Sequence, residues 1–290
     1  MNGILLVDKP EGWTSYDVAA KVKRLCRTSR VGHSGTLDPL ATGLLVVFAG
    51  RATRAVSFCE GHDKRYTAAL RLGLVTDTQD ITGRIVSERC ADVSDEELER
   101  ALDAFRGDIM QIPPMYSAIK INGQRLYKIA RQGGEVERKP RAVSIKELRF
   151  IGRDGNGDVL LDVKCSAGTY IRTLCDDIGR ALGCGGCMSS LRRTEVGGFS
   201  VKDAHGMDEL IRAAEEGRME SLLLGVESIF PQLPRIVADA EQESRIRCGS
   251  PVTADAPDGR YLVYSSGGAL LMLGEQRGGL LFTVKSFFEV

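Results

Sequence analysis

Apolar and polar positions along this chain fall into short blocks, and the blocks predict strands and helices in mixed order. Gly3 to Asp8 is a short apolar strand, followed by the turn Lys9-Pro-Glu-Gly12. Behind a Thr14-Ser15 cap, Val18, Ala19, Val22 and Leu25 recur at helical spacing and predict a helix over about 16–26. Leu44-Leu-Val-Val-Phe-Ala49 is an unbroken apolar run, the pattern of a buried strand. Ala52 to Cys59 predicts another short helix. Tyr66 to Leu74 alternates like a strand, and Gly83 to Glu88 is a further strand beyond the polar loop Thr76–Asp80. Ser94-Asp-Glu-Glu97 is a capping box that opens a helix through Phe105. Val143 to Ile151 and Val159 to Ser166 pair across the turn Asp154-Gly-Asn-Gly157. Tyr170 to Leu182 reads as a helix with Ile171, Leu174, Ile178 and Leu182 inward. Such a mixture, with many hairpin-type connections, predicts an α+β domain on a largely antiparallel mixed sheet.

The pattern changes near Gly225–Pro234, where short strands and glycine turns take over: Tyr261–Tyr264, Ala269–Leu273 and Leu280–Val284. This divides the chain into a main domain, 1–230, and a small β-rich appendix, 231–290. About 60 residues bury too little surface to be very stable alone, so the appendix is expected to pack on the main domain.

Charge adds less than its distribution. Lys+Arg and Asp+Glu are both 39, a formal net charge of zero, which argues weakly against a nucleic-acid partner. The basic residues are clustered, however: Lys21 to Arg30, Lys120 to Arg131, Arg138 to Arg141, and Arg192-Arg193. Together they permit a basic groove on a neutral protein. No cleavable signal peptide is apparent, and no apolar run approaches the roughly 20 residues of a membrane span. Eight scattered cysteines suit reduced thiols, so a cytoplasmic chain is expected. Cys184 and Cys187 form a Cys-x-x-Cys pair, but His205 is the only histidine downstream, and two small residues in a glycine-rich turn are expected there rather than a metal site.

The segment with most chemical content is Gly32-His-Ser-Gly-Thr-Leu-Asp-Pro-Leu-Ala-Thr-Gly43. A glycine-punctuated loop against a rigid strand can hold one reactive side chain in a cleft, and its single acid is Asp38. It is not a phosphate-binding P-loop, because Gly43 is followed by Leu44-Leu45 rather than Lys-Ser/Thr. Nor is it a serine-hydrolase elbow, because Thr36 stands where the last glycine of Gly-x-Ser-x-Gly belongs.

Four stations carry a family resemblance. They are Leu6-Val-Asp-Lys-Pro10 with Gly12 and Ser15; Gly32 to Gly43; Asp63-Lys-Arg-Tyr66 with Arg71-Leu-Gly73 and Thr76 to Asp80; and Ser166-Ala-Gly-Thr-Tyr-Ile-Arg172 with Asp176-Asp-Ile-Gly179, Leu182-Gly-Cys184 and Leu191-Arg-Arg193. Pro113 to Lys120 is a further segment of the same kind. In order, spacing and identity they resemble the bacterial-type TruB family of tRNA pseudouridine-55 synthases.

The resemblance implies a pseudouridine-synthase-like α+β domain with an RNA-clamping insertion at about 114–142 and a PUA-like RNA-binding domain at 231–290. It implies isomerisation of uridine 55 in the T-loop of tRNA, with the base flipped out of its stack. The reaction adds no group and changes no oxidation level, so neither cofactor nor metal is expected. Asp38 is then the nucleophile. Arg172 keeps it charged with a forked contact. Tyr66 offers an aromatic face and a hydroxyl that could take or relay a proton. His33 fills space near the flipped base, Asp80 contacts the nucleotide region, and Tyr170 and Leu191 form pocket walls. Lys9 and Pro10 support the catalytic loop from beneath. Lys120, Lys128, Arg131 and Arg141 are expected to grip phosphate. The implied partner is the tRNA T-arm, with no membrane and no obligate protein partner. Two other readings remain: an RNA-binding or tRNA-folding chaperone module, and a pseudouridine synthase with a different RNA target, such as one working in a guide-RNA complex. A pure binder has no need of Asp38, Tyr66 and Arg172 together.

Overall fold

A computed structural model describes residues 1–117, 119–121 and 123–288, with backbone alone for 121 and 131. The chain begins with β1 (Gly3–Lys9), α1 (Ser15–Leu25), β2 (Val31–Ser34), β3 (Thr42–Ala49) and β4 (Lys64–Leu72). All four strands join one ten-stranded sheet. β1 lies antiparallel along one edge of β3. The other edge of β3 is shared. β2 pairs antiparallel with Val46–Ala49, and the strand Gly186–Val196 pairs in parallel with Thr42 and Gly43. The loop 35–41 sits where these two partners meet. Beyond Gly186–Val196 come β4, Val159–Cys165, Arg141–Arg153 and Gly107–Gln111, each antiparallel to the last. On the far side His205–Gly206 pairs in parallel with β1. The fold is therefore α+β on a mixed, largely antiparallel sheet.

β3 explains its own rigidity. Leu44, Val46 and Phe48 enter one apolar cluster, while Leu45, Val47 and Ala49 enter another on the opposite face. Alternate residues of a strand point to opposite faces, so a continuous apolar run is what a strand buried on both sides requires. α1 supplies Val18 and Val22 to the second cluster, and the helix Met207–Glu215 adds Leu210 and Ala213. Thr14 and Asp17 cap α1 reciprocally, as Ser94 and Glu97 cap the helix Asp95–Asp103. The helix Ile171–Ala181 covers the other half of the sheet through Ile171, Leu174 and Ile178.

Several elements differ from the sequence expectation. Gly186–Val196, read as a glycine-rich turn followed by a basic pair, is an eleven-residue central strand, and Cys187 is buried within it. Gly107–Gln111 and Met207–Glu215 were not anticipated, and residues 50–60 form a 3-10 turn before a short helix. The C-terminal part holds a strand at Arg235–Ala238 and a helix at Ala240–Arg247 besides its expected strands. Its five strands run in the order Arg235–Ala238, Gly259–Ser265, Leu270–Arg277, Leu280–Ser286, Val252–Thr253. Leu262, Leu273 and Phe287 pack into the cluster that holds Phe48 and Ala55. Arg54 Nη1 also donates to the carbonyl and hydroxyl oxygens of Ser286, both at 3.1 Å. Among the described residues no helix is long and apolar enough to cross a membrane.

Candidate active site

The loop 35–41 is fixed from below at both ends of Asp38. Ser15, at the start of α1, accepts from Leu37 N at 2.9 Å and donates to Leu37 O at 3.2 Å. Ala41 N donates to Asp38 O, closing a turn. Lys9 is fully buried, and its ammonium donates to the carbonyls of Pro10, Trp13 and Pro39 at 2.9, 2.6 and 3.3 Å. The Pro39 carbonyl also accepts from Gly12 N at 2.9 Å. Lys9 and Pro10 thus lie beneath the loop, and burial pushes the Lys9 ammonium down to about 8.

Asp38 stands above this base with its side chain 40 % exposed. Arg172, in the first turn of Ile171–Ala181 and only 6 % exposed, reaches it with two nitrogens. Nε lies 2.9 Å from Oδ2, and Nη2 donates to Oδ1 at 3.4 Å. The same guanidinium donates to Tyr116 O at 2.8 Å and Thr78 O at 3.2 Å, and lies 3.6 Å from Asp80 Oδ2. Burial pushes the Asp38 carboxyl above its ordinary value; Arg172 is the largest opposing influence, Asp80 adds to the rise, and Lys9 also opposes it. Asp80 is held in turn by Thr78 Oγ1 at 2.9 Å and by Thr82 N and Oγ1 at 3.0 and 2.5 Å. Gln79 adopts φ +63°, a strained conformation for a side-chain-bearing residue, and is locked by Asp176 and Thr173 on the Arg172 helix.

An apolar floor surrounds the carboxylate. Tyr66 and Leu191 are buried in one cluster with Leu37, Ala41 and Ile171. Burial pushes the Tyr66 phenol up, while the Arg193 guanidinium, opposite it across the strand pair, opposes the rise. His33 lies half-buried on β2, with Nδ1 unpartnered. Burial first, then Arg193, pushes its imidazole down, which favours the neutral ring. Tyr170 caps the Arg172 helix, and its backbone N–H and C=O are both engaged by the Gln111 amide.

The insertion consists of a short hairpin, Lys120–Ile121 with Gln124–Arg125, and a helix Leu126–Arg131. Lys120, Lys128 and Arg141 are exposed; the Arg131 side chain lies outside the described residues. Arg138 donates to Pro113 O and pairs with the exposed Glu135.

The structure thus brings Asp38, Arg172, Asp80, Tyr66, Leu191, Lys9 and Pro10 into one region. Sequence reasoning missed three contributors: the buried Lys64, the buried Arg193, and the Tyr116 carbonyl on Arg172. Lys64 and Arg193 stood inside motifs already noted, Asp63-Lys-Arg-Tyr66 and Leu191-Arg-Arg193. Among the described residues no group of three or more His, Cys, Asp or Glu is arranged to hold a metal ion.

Comparison with known proteins identifies the family. Residues 23–171 match the family described as TruB family pseudouridylate synthase (N terminal domain). Residues 172–231 match the tRNA pseudouridylate synthase B C-terminal domain. The tRNA pseudouridine synthase B of Dechloromonas aromatica is 45 % identical over 97 % of this chain and 94 % of its own length. That of Haemophilus influenzae is 44 % identical over 87 % of this chain and 81 % of its own. Among solved structures, a Cbf5–Nop10–Gar1 complex aligns with 99 % of this chain and 85 % of the matched chain, at TM-score 0.73 and 26 % identity. An archaeal box H/ACA sRNP Nop10–Cbf5 complex aligns with 99 % and 86 %, at TM-score 0.71 and 25 % identity. These alignments include the C-terminal sheet, which is PUA-like. Motifs, fold and relatives converge: the chain belongs to the TruB family of pseudouridylate synthases.

Proposed function

We propose that this chain isomerises uridine 55 in the T-loop of tRNA to pseudouridine, with Asp38 as nucleophile. The observation that carries the reading is the forked Arg172 contact on a half-exposed carboxylate over an apolar floor. A carboxylate placed beside an apolar base tends to protonate, and a two-nitrogen cationic partner opposes that while fixing its direction. One face of Asp38 stays open, which is where a flipped uridine would arrive. The unstacking cost of flipping, on the order of a few kcal/mol, is met by contacts along the RNA.

In this reading Arg172 holds Asp38 ionised, and Tyr66 stacks on the uracil and handles protons. Leu191 and Tyr170 wall the pocket, His33 fills space beside the flipped base as a neutral ring, and Asp80 steadies the far side of Arg172. The bond between uracil N1 and the ribose breaks, the base turns, and a bond forms from C5. Reactant and product contain the same atoms at the same oxidation level, so these side chains suffice. The domain division 1–230 and 231–290, the insertion 114–142 as RNA clamp, and RNA binding by the PUA-like part belong to the same proposal.

The test is an unmodified tRNA transcript incubated with the purified protein, followed by mapping of pseudouridine. Conversion is expected at position 55. Asp38→Asn should keep tRNA binding and lose turnover, because an amide preserves shape without the nucleophile. Appreciable conversion by a verified Asp38→Asn preparation would remove Asp38 from that role.

A further inference from the structure

Arg193 is the largest fully buried side chain described, at 1 % exposure. Among the described residues no carboxylate pairs with it. Its Nε donates to Leu44 O at 2.7 Å and its Nη2 to Gly35 O at 3.0 Å. Arg193 and Tyr66 are directly opposite each other where Gly186–Val196 pairs with β4. Side chains directly opposite each other share one face of the sheet, so the guanidinium and the buried Tyr66 phenol are neighbours, and the Arg193 charge opposes the upward push of burial on that phenol. One buried cation therefore ties the head of the catalytic loop to the strand that leaves it, and does so beside Tyr66 across the strand pair.

Stapling two carbonyls does not explain a charge. A neutral amide could donate to both at far smaller desolvation cost, and a buried cation without a counter-ion is expensive. The Tyr66 phenol, opposite Arg193 across the strand pair, can become an anion, as neither carbonyl can. We propose that Arg193 is a positioning residue for Tyr66, holding its phenol oxygen as an acceptor so that the phenolic hydrogen points into the cleft. The inference rests on the isomerase reading above. When Tyr66 passes its proton to the substrate base, the O–H electron pair stays on oxygen, and a phenol–guanidinium pair of charge +1 becomes a phenolate–guanidinium pair of charge zero. Return of a proton reverses the step. The buried cation is thus neutralised only while Tyr66 is carrying out proton transfer, so it favours that state over the resting one.

The test uses the full chain and a tRNA transcript labelled with tritium at uridine C5, with release measured in a single turnover at saturating enzyme. Arg193→Lys and Arg193→Met are each made alone and with Tyr66→Phe. Arg193→Lys keeps the charge but not the geometry and guards against a Met variant that fails to fold. Substitution of Arg193 should slow turnover about 10- to 100-fold where Tyr66 is intact, leave tRNA affinity within about threefold, and cause no further loss in the Tyr66→Phe background. The second readout is the Cζ resonance of ¹³C-labelled tyrosine, with the Tyr66 peak identified by its absence in Tyr66→Phe. That peak should move in both Arg193 variants. Equal losses in the two backgrounds would reduce Arg193 to a loop staple. An unmoved peak would overturn the contact, and it decides the matter if the Tyr66→Phe background is too slow to measure. The resonance needs no turnover, so a missing contact is told apart from a wild type that makes no pseudouridine, which would overturn the isomerase reading and this role with it.

Discussion

Arg172→Lys keeps the charge beside Asp38 and removes the geometry. The guanidinium places three nitrogens against Asp38, Asp80, Thr78 O and Tyr116 O, with its shortest contacts at 2.8 and 2.9 Å. A single ammonium carries three donors but at one point and on a shorter reach, so it cannot span two carboxylates and two carbonyls that the fork meets with three separate nitrogens. At least one carbonyl and one carboxylate are left without their donor, in a place where Arg172 is 6 % exposed. Removing a hydrogen bond from a charged donor costs about 1.5–3 kcal/mol, and Asp38 can recover water on its open side, so the net loss is about 2–3 kcal/mol. For a chain of this size that lowers the melting temperature by roughly 3–5 °C. The catalytic loss is larger. Without the fork the carboxylate can swing by an ångström, and a displacement of that size costs about 100-fold in rate. Single-turnover tritium release at saturating enzyme measures the chemical step, and filter binding measures affinity. The expected result is a rate about 100-fold down with affinity nearly unchanged. A folded Arg172→Lys enzyme within about threefold of wild type would show that charge alone suffices and that the fork is incidental.

Backbone, surface and buried charge each offer a further test. Gly43 has φ +96°, and a Cβ built there would lie 2.3 Å from Arg193 O, so Gly43→Ala should force the two parallel strands apart and lower the melting temperature well beyond Gly12→Ala, whose φ is +80° with nothing within 4 Å. Neutralising Lys120, Lys128, Lys139 and Arg141 together should lower the log–log salt slope of tRNA binding by roughly 0.7–0.9 for each phosphate no longer neutralised, and an unchanged slope would move the clamp elsewhere. Lys9 titrates near 8 in the folded protein and 10.5 unfolded, so between those values only the unfolded chain holds the proton and the penalty for burying it fades as pH rises. Wild type should therefore gain stability against Lys9→Met across pH 8–10.5, by at most about 3 kcal/mol, and denaturant melts that run parallel over that range would refute the assignment.

The parts of the fold that were legible in the sequence are those whose signal is local. The apolar run of β3, the capping boxes at Thr14 and Ser94, and the hairpin 143–165 all state their structure within a couple of dozen residues. Gly186–Val196 does not. Two serines, two arginines and a glutamate make it look like surface, because the groups that satisfy Arg193 lie about 150 positions away. The helix Ala240–Arg247 escaped for the opposite reason. It buries only Ile246, so it has no apolar stripe to read, although Asp239 and Gln242 did offer a capping box. Within the site, Asp38 and Arg172 were legible as motif letters. Neither periodicity nor spacing could bring residues 38 and 172 to 2.9 Å, and nothing local distinguishes a lysine bonded to carbonyls from one in solvent.

That distinction shapes the electrostatics of the whole cleft. Lys9, Lys64 and Arg193 are all buried, and all bond to oxygens that carry no full charge: the carbonyls of Pro10, Trp13 and Pro39, of Glu60 and His62, and of Leu44 and Gly35. Of the three, Lys9 bears on Asp38; paired with a carboxylate of its own, it would form a neutral pair and do little there. Bonded to carbonyls, the three cations stay satisfied as donors while their charge stays unspent. Asp38 touches Arg172, and it must share Arg172 with Asp80. Two carboxylates on one cation would favour protonating one of them, as would the burial that already pushes Asp38 upward. Lys9 opposes that rise from beneath the loop, without contact. In the proposed role, a carboxylate that must be ionised yet partly dehydrated is thus served first by Arg172, which supplies both direction and the larger share of charge, and then by Lys9, which adds charge without contact.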